Sequence, residues 1–484
     1  MYKGYVVKVQ NLRKHENADR LQIATFFGND TVVDLSVKVG DVGVYFPIDG
    51  QLSAEFAELN NLTRRKDENG NQTGGFLDPD KRNIKAIRLR GEKSDGLFVP
   101  ISVFDYCYPD VKGGAATMLN VGDTVDIVNG HEICTKYIPR TNHRTSSGSK
   151  SNKTRKHTAP IAPLFAEHAD TEQLAYNLEA FKSGDEVEIT LKMHGTSQRT
   201  GYLPKLVKMH RTLLDRIFKR PGTPIYDWGY VTGTRRVVLN DFDGGFYGSN
   251  AFREQHAKAF EGKLWKGEEI FYEVVGFTDS GVPIMSDGNN KKIQDKEFVK
   301  KYGDTTRFSY GCAPKEYVVE GYNDSTPGYQ DELHSYTIPQ SDLYVYRMTM
   351  TNEDGNVVEY TPEFMRYRCE QMGVKSVPVL WRGIIPRDEW IEECYDCNGK
   401  LGYWGRHRDG TPGEWIKNIA EQYYDGPDPI GKTHIREGVV VRILNRPKFT
   451  AYKHKNFAFK VLEGIIKESA IAPDMEEEQE LKEE

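Results

Sequence analysis

Five stretches of this 484-residue chain hold side chains that could do chemistry: strand-end lysines beside glycine, and lone carboxylates in apolar strands. Val187, Ile189 and Leu191 alternate with Glu188, Thr190 and Lys192, the period of two that marks a half-buried strand. Lys192 therefore sits on the polar face at a strand end. Gly195 follows three residues later, where backbone could approach a ligand closely. A lysine held there suits a covalent nucleophile. Taken alone, such a lysine is ordinarily a solvated strand end, so the weight falls on its companions. Phe271-Tyr272-Glu273-Val274-Val275-Gly276 sets a single carboxylate in an apolar strand, and Leu343-Tyr344-Val345-Tyr346 ends a strand on an aromatic ring. Glu437-Gly438 opens the apolar run Val439-Val440-Val441, and Lys453-His454-Lys455-Asn456 puts two lysines on one face of an extended segment.

The elements that must position these groups divide the chain. Residues 1–130 read as short strands punctuated by Gly28-Asn29-Asp30, Gly40-Asp41 and Gly122-Asp123, without a long helical pattern, which suggests a small β-barrel. Within it His15-Glu16-Asn17-Ala18-Asp19-Arg20-Leu21-Gln22-Ile23 resembles the opening of OB-type tRNA-binding domains. Residues 131–160 form a basic linker: Lys136, Arg140, Arg144, Lys150, Lys153, Arg155 and Lys156 lie among Ser, Thr, Asn and Gly, too few apolar groups to order a segment. Residues 161–465 mix strands with helices expected at 206–218, 251–260, 296–302, 362–372 and 413–424, and a helix led by Asp170 through 178. There is no GxGxxG or GxxxxGK[ST] loop, which excludes a Rossmann domain and a Walker NTPase. Residues 466–484 are an acidic tail. The formal net charge of −6 comes from seven acids against Lys482 in 474–484, so the body is near neutral and a polynucleotide partner stays open. Scattered cysteines, no apolar run of membrane-spanning length and no signal-peptide pattern point to a cytoplasmic protein.

The order of the five stretches resembles the covalent nucleotidyltransferase superfamily of polynucleotide ligases and RNA capping enzymes. Lys192-Met193-His194-Gly195 is similar to its nucleophile motif, in the KxHG form of the nick-sealing RNA ligases. The resemblance covers 165–465. It implies an α+β fold, an N-terminal OB-like barrel followed by an ATP-grasp-like nucleotidyltransferase domain of antiparallel sheets and helices. It also implies an ATP-dependent RNA ligase that joins 3′-hydroxyl and 5′-phosphate ends through a lysyl–AMP intermediate and an adenylated polynucleotide. Lys192 would be the nucleophile. His194, Gly195, Arg236, Glu273, Tyr346, Glu437, Lys453 and Lys455 would bind the nucleotide, with Tyr346 stacking on the purine and the lysines on phosphate. Thr232-Gly233-Thr234-Arg235-Arg236 resembles an arginine element of RNA ligases in which the roles of Arg235 and Arg236 are not separated. Glu437 and Glu273 supply hard oxygen ligands for Mg²⁺ or Mn²⁺, and Glu273 alternatively holds ribose hydroxyls.

The chain departs from the pattern at Leu191 and Ser197, where the RNA ligases often carry Glu and Asn, and Arg199 is an extra cation. Too few residues follow Lys455 for the OB domain that DNA ligases and capping enzymes place there. A DNA ligase, a guanylyltransferase and a non-catalytic nucleic-acid binder on a ligase-like core are the alternatives. The expected partners are RNA or RNA/DNA ends in a nicked duplex, with no membrane and no obligate protein partner. Cys394-Tyr395-Asp396-Cys397 has only Cys369 and His407 nearby, short of a zinc site with two pairs.

Overall fold

The structure, a computed structural model, describes residues 2–66, 72–137, 159–168, 171–213, 215, 218, 222–235, 238–239, 242, 250–278, 284, 315–319, 334–338, 341–386, 392–395, 401–404, 410–430 and 435–461. It is an α+β protein of two compact units, Met1–Arg140 with Lys460–Ala470, and Thr141–Phe459 with Ile471–Glu484.

In the first unit, Gly4–Lys8 lies between Val42–Phe46 and Thr124–Val125, and Leu97–Pro100 flanks Val42–Phe46 on its other side. Alternation along Val42–Phe46 sends Val44 and Phe46 into a core with Val6, Phe56, Phe104 and Val125. A second antiparallel sheet joins Leu12–Lys14, Leu21–Phe26 and Asn29–Asp34. Lys460 belongs to this unit, its Nζ 2.6 Å from the Asp95 carboxylate. Of the basic run only Lys136 is described, in the strand Cys134–Lys136; residues 138–158 lie outside the described residues.

The second unit is built on two sheets. In the first, Glu186–Leu191 is central, antiparallel to Val379–Ile384 on one side and Gly438–Ile443 on the other, with Thr450–Lys455 next beyond. Val187 and Ile189 enter a core with Val439, Val441 and Ile416. In the second, Thr196–His210 lies between Thr223–Gly233 and Glu268–Gly276, and Ser341–Thr351 follows. Its apolar face packs Ile270, Tyr272, Val274 and Val345 on the helices Ala251–Lys258 and Pro362–Met372. The latter helix starts at Thr361, whose side chain accepts from the Phe364 amide, with Pro362 in the first turn. It stops at Gly373 in the left-handed region (φ 70°), a conformation that favours glycine. The helix Pro412–Glu421 is set by a capping box between Thr411 and Glu414.

Two expected helices differ in the structure. Residues 206–210 are strand, the end of Thr196–His210, while Leu213 and Asp215, later in the same expected span, are helical. A register slip between Leu206 and Lys208 adds one residue, so half-buried Leu206 and Met209 fall three apart and imitate helical spacing. The helix led by Asp170 is instead two 3₁₀ turns, Leu174–Tyr176 and Leu178–Ala180, separated at Asn177, whose φ of −134° and ψ of 32° lie outside the helical region; Asp170 itself lies outside the described residues. The expected helix at 296–302 also lies outside them.

Candidate active site

The first sheet brings three strand ends together. Leu191 pairs with Val439 and Gly438 with Lys455; the Lys192 amide donates to the Gly438 carbonyl (3.0 Å) and the Asn456 amide to that of Glu437 (2.8 Å). This register puts Lys192, Glu437 and Lys455 side by side. Lys192 Nζ lies 2.6 Å and Lys455 Nζ 3.4 Å from Glu437 Oε1, and His194 Nδ1 lies 3.5 Å from Oε2. Glu437 is buried. Burial alone raises its pKa, but Lys192, Lys455 and His194 outweigh it and hold the carboxyl well below its usual range. The group is a fixed anion between two lysines.

His194 is buried, with its ring edge on Phe459 (centroids 4.9 Å apart). It lies against Glu437, among the groups that fix that carboxylate. Gly195 has a packing cause: a Cβ there would stand 2.3 Å from the Val274 carbonyl oxygen. The glycine lets the turn after the lysine lie against the next sheet. Gly438 (φ 148°) is similar, since a Cβ would meet the His454 carbonyl oxygen at 2.1 Å.

Lys192 lines a cleft that is open to solvent and walled by both sheets. Glu188, Thr190 and Lys192 line it from one strand, with Lys453 from another. The polar face of Glu186–Leu191 thus forms a cleft wall, and the Glu188 carboxylate is buried, paired with Arg366 at 3.0 Å. Ser197, Glu273 and Tyr346 line the cleft from the second sheet, where Ser197 is opposite Glu273. The Tyr346 hydroxyl is 3.1 Å from Ser197 Oγ. Arg235 lines the cleft, whereas Arg236 lies outside the described residues.

Arg199 is not a cleft cation. It is 1% exposed, lies over the Phe165 ring at 4.0 Å and donates to the carbonyls of Thr234, Phe165 and Ala166. It ties the segment before the first sheet to the turn that carries Arg235. That segment ends at His168, a cleft residue without a motif in the sequence. Its ring is 5.0 Å from Tyr346 and 5.5 Å from Phe271, and Arg347 Nη1 is 3.4 Å from its Nδ1. A guanidinium only donates, so Nδ1 accepts and the proton resides on Nε2. Burial, then the charges of Arg347, Arg235 and Arg199, push the imidazole pKa down to about 3. His168 is therefore neutral in the folded chain, while unfolded it takes a proton below about 6.5. Acidification from pH 6.5 to 4 then favours the unfolded state. His168→Phe, which keeps the ring and removes the titration, should flatten the fall of stability by about 1 kcal/mol per pH unit in that window. Urea titrations at pH 6.5, 5.5 and 4.5 test this; parallel curves for both proteins contradict the neutral imidazole.

Among the described residues no group of three or more His, Cys, Asp or Glu is placed to hold a metal. Cys369 packs in the apolar core under Pro362–Met372, while Cys397 and His407 lie outside the described residues. Among the described residues no helix is long and apolar enough to cross a membrane.

A family model described as an OB-fold domain matches residues 4–101. No curated protein matches the chain. Solved structures similar to it include mutants of an RNA ligase from Naegleria gruberi. One with AMP and Mn is 16% identical, covers 94% of this chain and 97% of its own, and has a TM-score of 0.49. Another with ATP and Mn is 16% identical, with 94% and 98% covered and a TM-score of 0.48. The same ligase with PPi is 15% identical, with 94% and 97% covered and a TM-score of 0.46.

Proposed function

We propose that the chain is a covalent nucleotidyltransferase and, within that class, an ATP-dependent RNA ligase. The observation that carries the reading is Glu437 held between Lys455 and the cleft-lining Lys192. A lysine on a rigid strand end, fixed by a buried anion, is oriented before substrate arrives, which removes most of the entropic cost of the attack. The amine of Lys192 attacks the α-phosphorus of ATP. An N–P bond forms, the bond to the bridging oxygen breaks and pyrophosphate leaves; from the ammonium form two protons are released to solvent and the phosphoramide nitrogen keeps one. The AMP then passes to a 5′-phosphate end, and a 3′-hydroxyl displaces it.

In this reading the base occupies the cleft beside Tyr346 and His168, a stacking face with one N–H donor. Lys453, Lys455 and Arg235 neutralise phosphate charge, with Arg236 beside them by sequence. Glu437 and Glu273 are the carboxylates that would hold a divalent ion. Two protein carboxylates completed by phosphate and water fit Mg²⁺, which seldom takes an all-protein cage. Such an ion would supply charge neutralisation at the phosphates. The N-terminal barrel, with Lys136 on its last strand, and the basic sequence that follows it through Lys156 would contact the polynucleotide.

Incubation with α-phosphate-labelled ATP or GTP and Mg²⁺, followed by denaturing electrophoresis, tests this. The expected result is a labelled protein band with ATP only, and its label transferred to a 5′-phosphorylated nicked RNA duplex. Labelling by GTP alone moves the assignment to a capping enzyme. No label with either nucleotide refutes the covalent mechanism and leaves a nucleic-acid binder.

A further inference from the structure

The strand Thr196–His210 is longer than the sheet that contains it. It pairs with Glu268–Gly276 only through Thr196–Gly201, and from Tyr202 to His210 it pairs with Thr223–Tyr230 of the neighbouring strand. The outer halves of the two strands form a ribbon, nine residues or roughly 30 Å long. Both strands root at the cleft. One begins directly after His194-Gly195, and the other ends at Gly233, two residues before cleft-lining Arg235.

The bulge at Val207 decides what each face of the ribbon carries. Lys205 is opposite Asp227, Lys208 opposite Ile225 and His210 opposite Thr223, and all six are exposed. Leu206 opposite Tyr226, and Met209 opposite Pro224, are half-buried on the other face. An unbroken alternation would give the exposed positions after Lys205 to Val207 and Met209, and would turn Lys208 and His210 to the other face. The extra residue restores the phase. Lys205, Lys208 and His210 thus form one row, continued by exposed Arg211 at the strand end, with Asp227 the acid opposite Lys205 on that face. Same-face residues recur at roughly 6.6 Å, a step comparable to that between successive phosphates of an extended nucleic-acid strand.

We propose that this face of the ribbon binds the phosphates of the RNA strand next to the break, and so guides that strand into the cleft. The proposal rests on the ligase reading above. A regular row of cations is complementary to a polyphosphate, and the lysines give sequence-independent attraction suited to a substrate defined by its ends.

The test is the double variant Lys205→Glu/Lys208→Glu, in exposed positions outside the cleft. Its affinity for a labelled nicked RNA duplex, measured against salt, should fall about tenfold or more at 100 mM, and the slope of log K on log salt should shrink by roughly 1.5–2, the loss of two phosphate contacts. AMP attachment from labelled ATP alone should stay within twofold of the parent. Unchanged affinity and slope, with AMP attachment intact, overturn the ribbon as the RNA surface. If the parent attaches no AMP, the ligase reading fails. The ribbon is then judged by the duplex titration alone, where a lost slope supports it as a nucleic-acid site and an unchanged slope overturns it.

Discussion

Replacing Lys192 with alanine should abolish attachment of AMP, a loss of at least about a thousandfold, because in the proposed mechanism no other group can take the place of the nucleophile. The fold should tolerate the change. Lys192 is partly exposed, and Glu437 keeps Lys455 at 3.4 Å and His194 at 3.5 Å as partners for its charge. The thermal midpoint should move little. The discriminating measurement pairs the labelled band with a melting curve and then with sealing of a chemically pre-adenylated 5′ end. The variant should still seal that end, since the later displacement does not need a free amine at 192. A variant that retains the label would place the nucleophile elsewhere; one that is unfolded would make Lys192 a structural residue instead.

Glu437→Gln should be nearly as damaging for a different reason. The amide keeps the shape but removes the anion on which two lysines converge, so Lys192 and Lys455 are left facing one another across a neutral group. AMP attachment should fall at least about a hundredfold, and stability at pH 7 by about 3 kcal/mol, as when one partner of a buried pair is removed. The pH dependence identifies the cause. The folded-state pKa of Glu437 is depressed, so its stabilisation is fully present above the ordinary carboxylate value near 4.3 and is lost as pH falls through the lower folded value. The gap in stability between the two proteins should be constant from pH 8 to about pH 5 and close below that. A gap that closes between pH 8 and 6 would assign the effect to another group, and near-normal AMP attachment would remove Glu437 from the mechanism.

The same carboxylate explains the economy of the site. One buried acid is paired with both lysines and, in the proposed mechanism, would also be one of two oxygen donors to a divalent ion. Each role requires the low pKa that the surrounding cations impose.

The sequence by itself determined the strand Glu186–Leu191, because alternation of Val187, Ile189 and Leu191 records a buried face directly. It also determined the helix at Pro362–Met372, whose caps Thr361 and Gly373 are local signals, and the short strands of the first unit. Alternation records that a face is buried without saying what covers it. Glu188 therefore reads as a solvent-facing polar residue, and only the tertiary structure gives it Arg366 as a partner and the cleft as its setting. His168 carries no local pattern at all; its neutrality comes from burial and then from three arginines on other segments. Arg199 reads as a spare cation and is a buried tie. The bulge at Val207 gives a strand the spacing of a helix, and pairing with Thr223–Gly233, a long-range contact, decides between them. The convergence of Lys192, Glu437 and Lys455 belongs to the same class. Motif order suggests it, but only the register of three antiparallel strands brings charges from distant parts of the chain within an ion-pair distance.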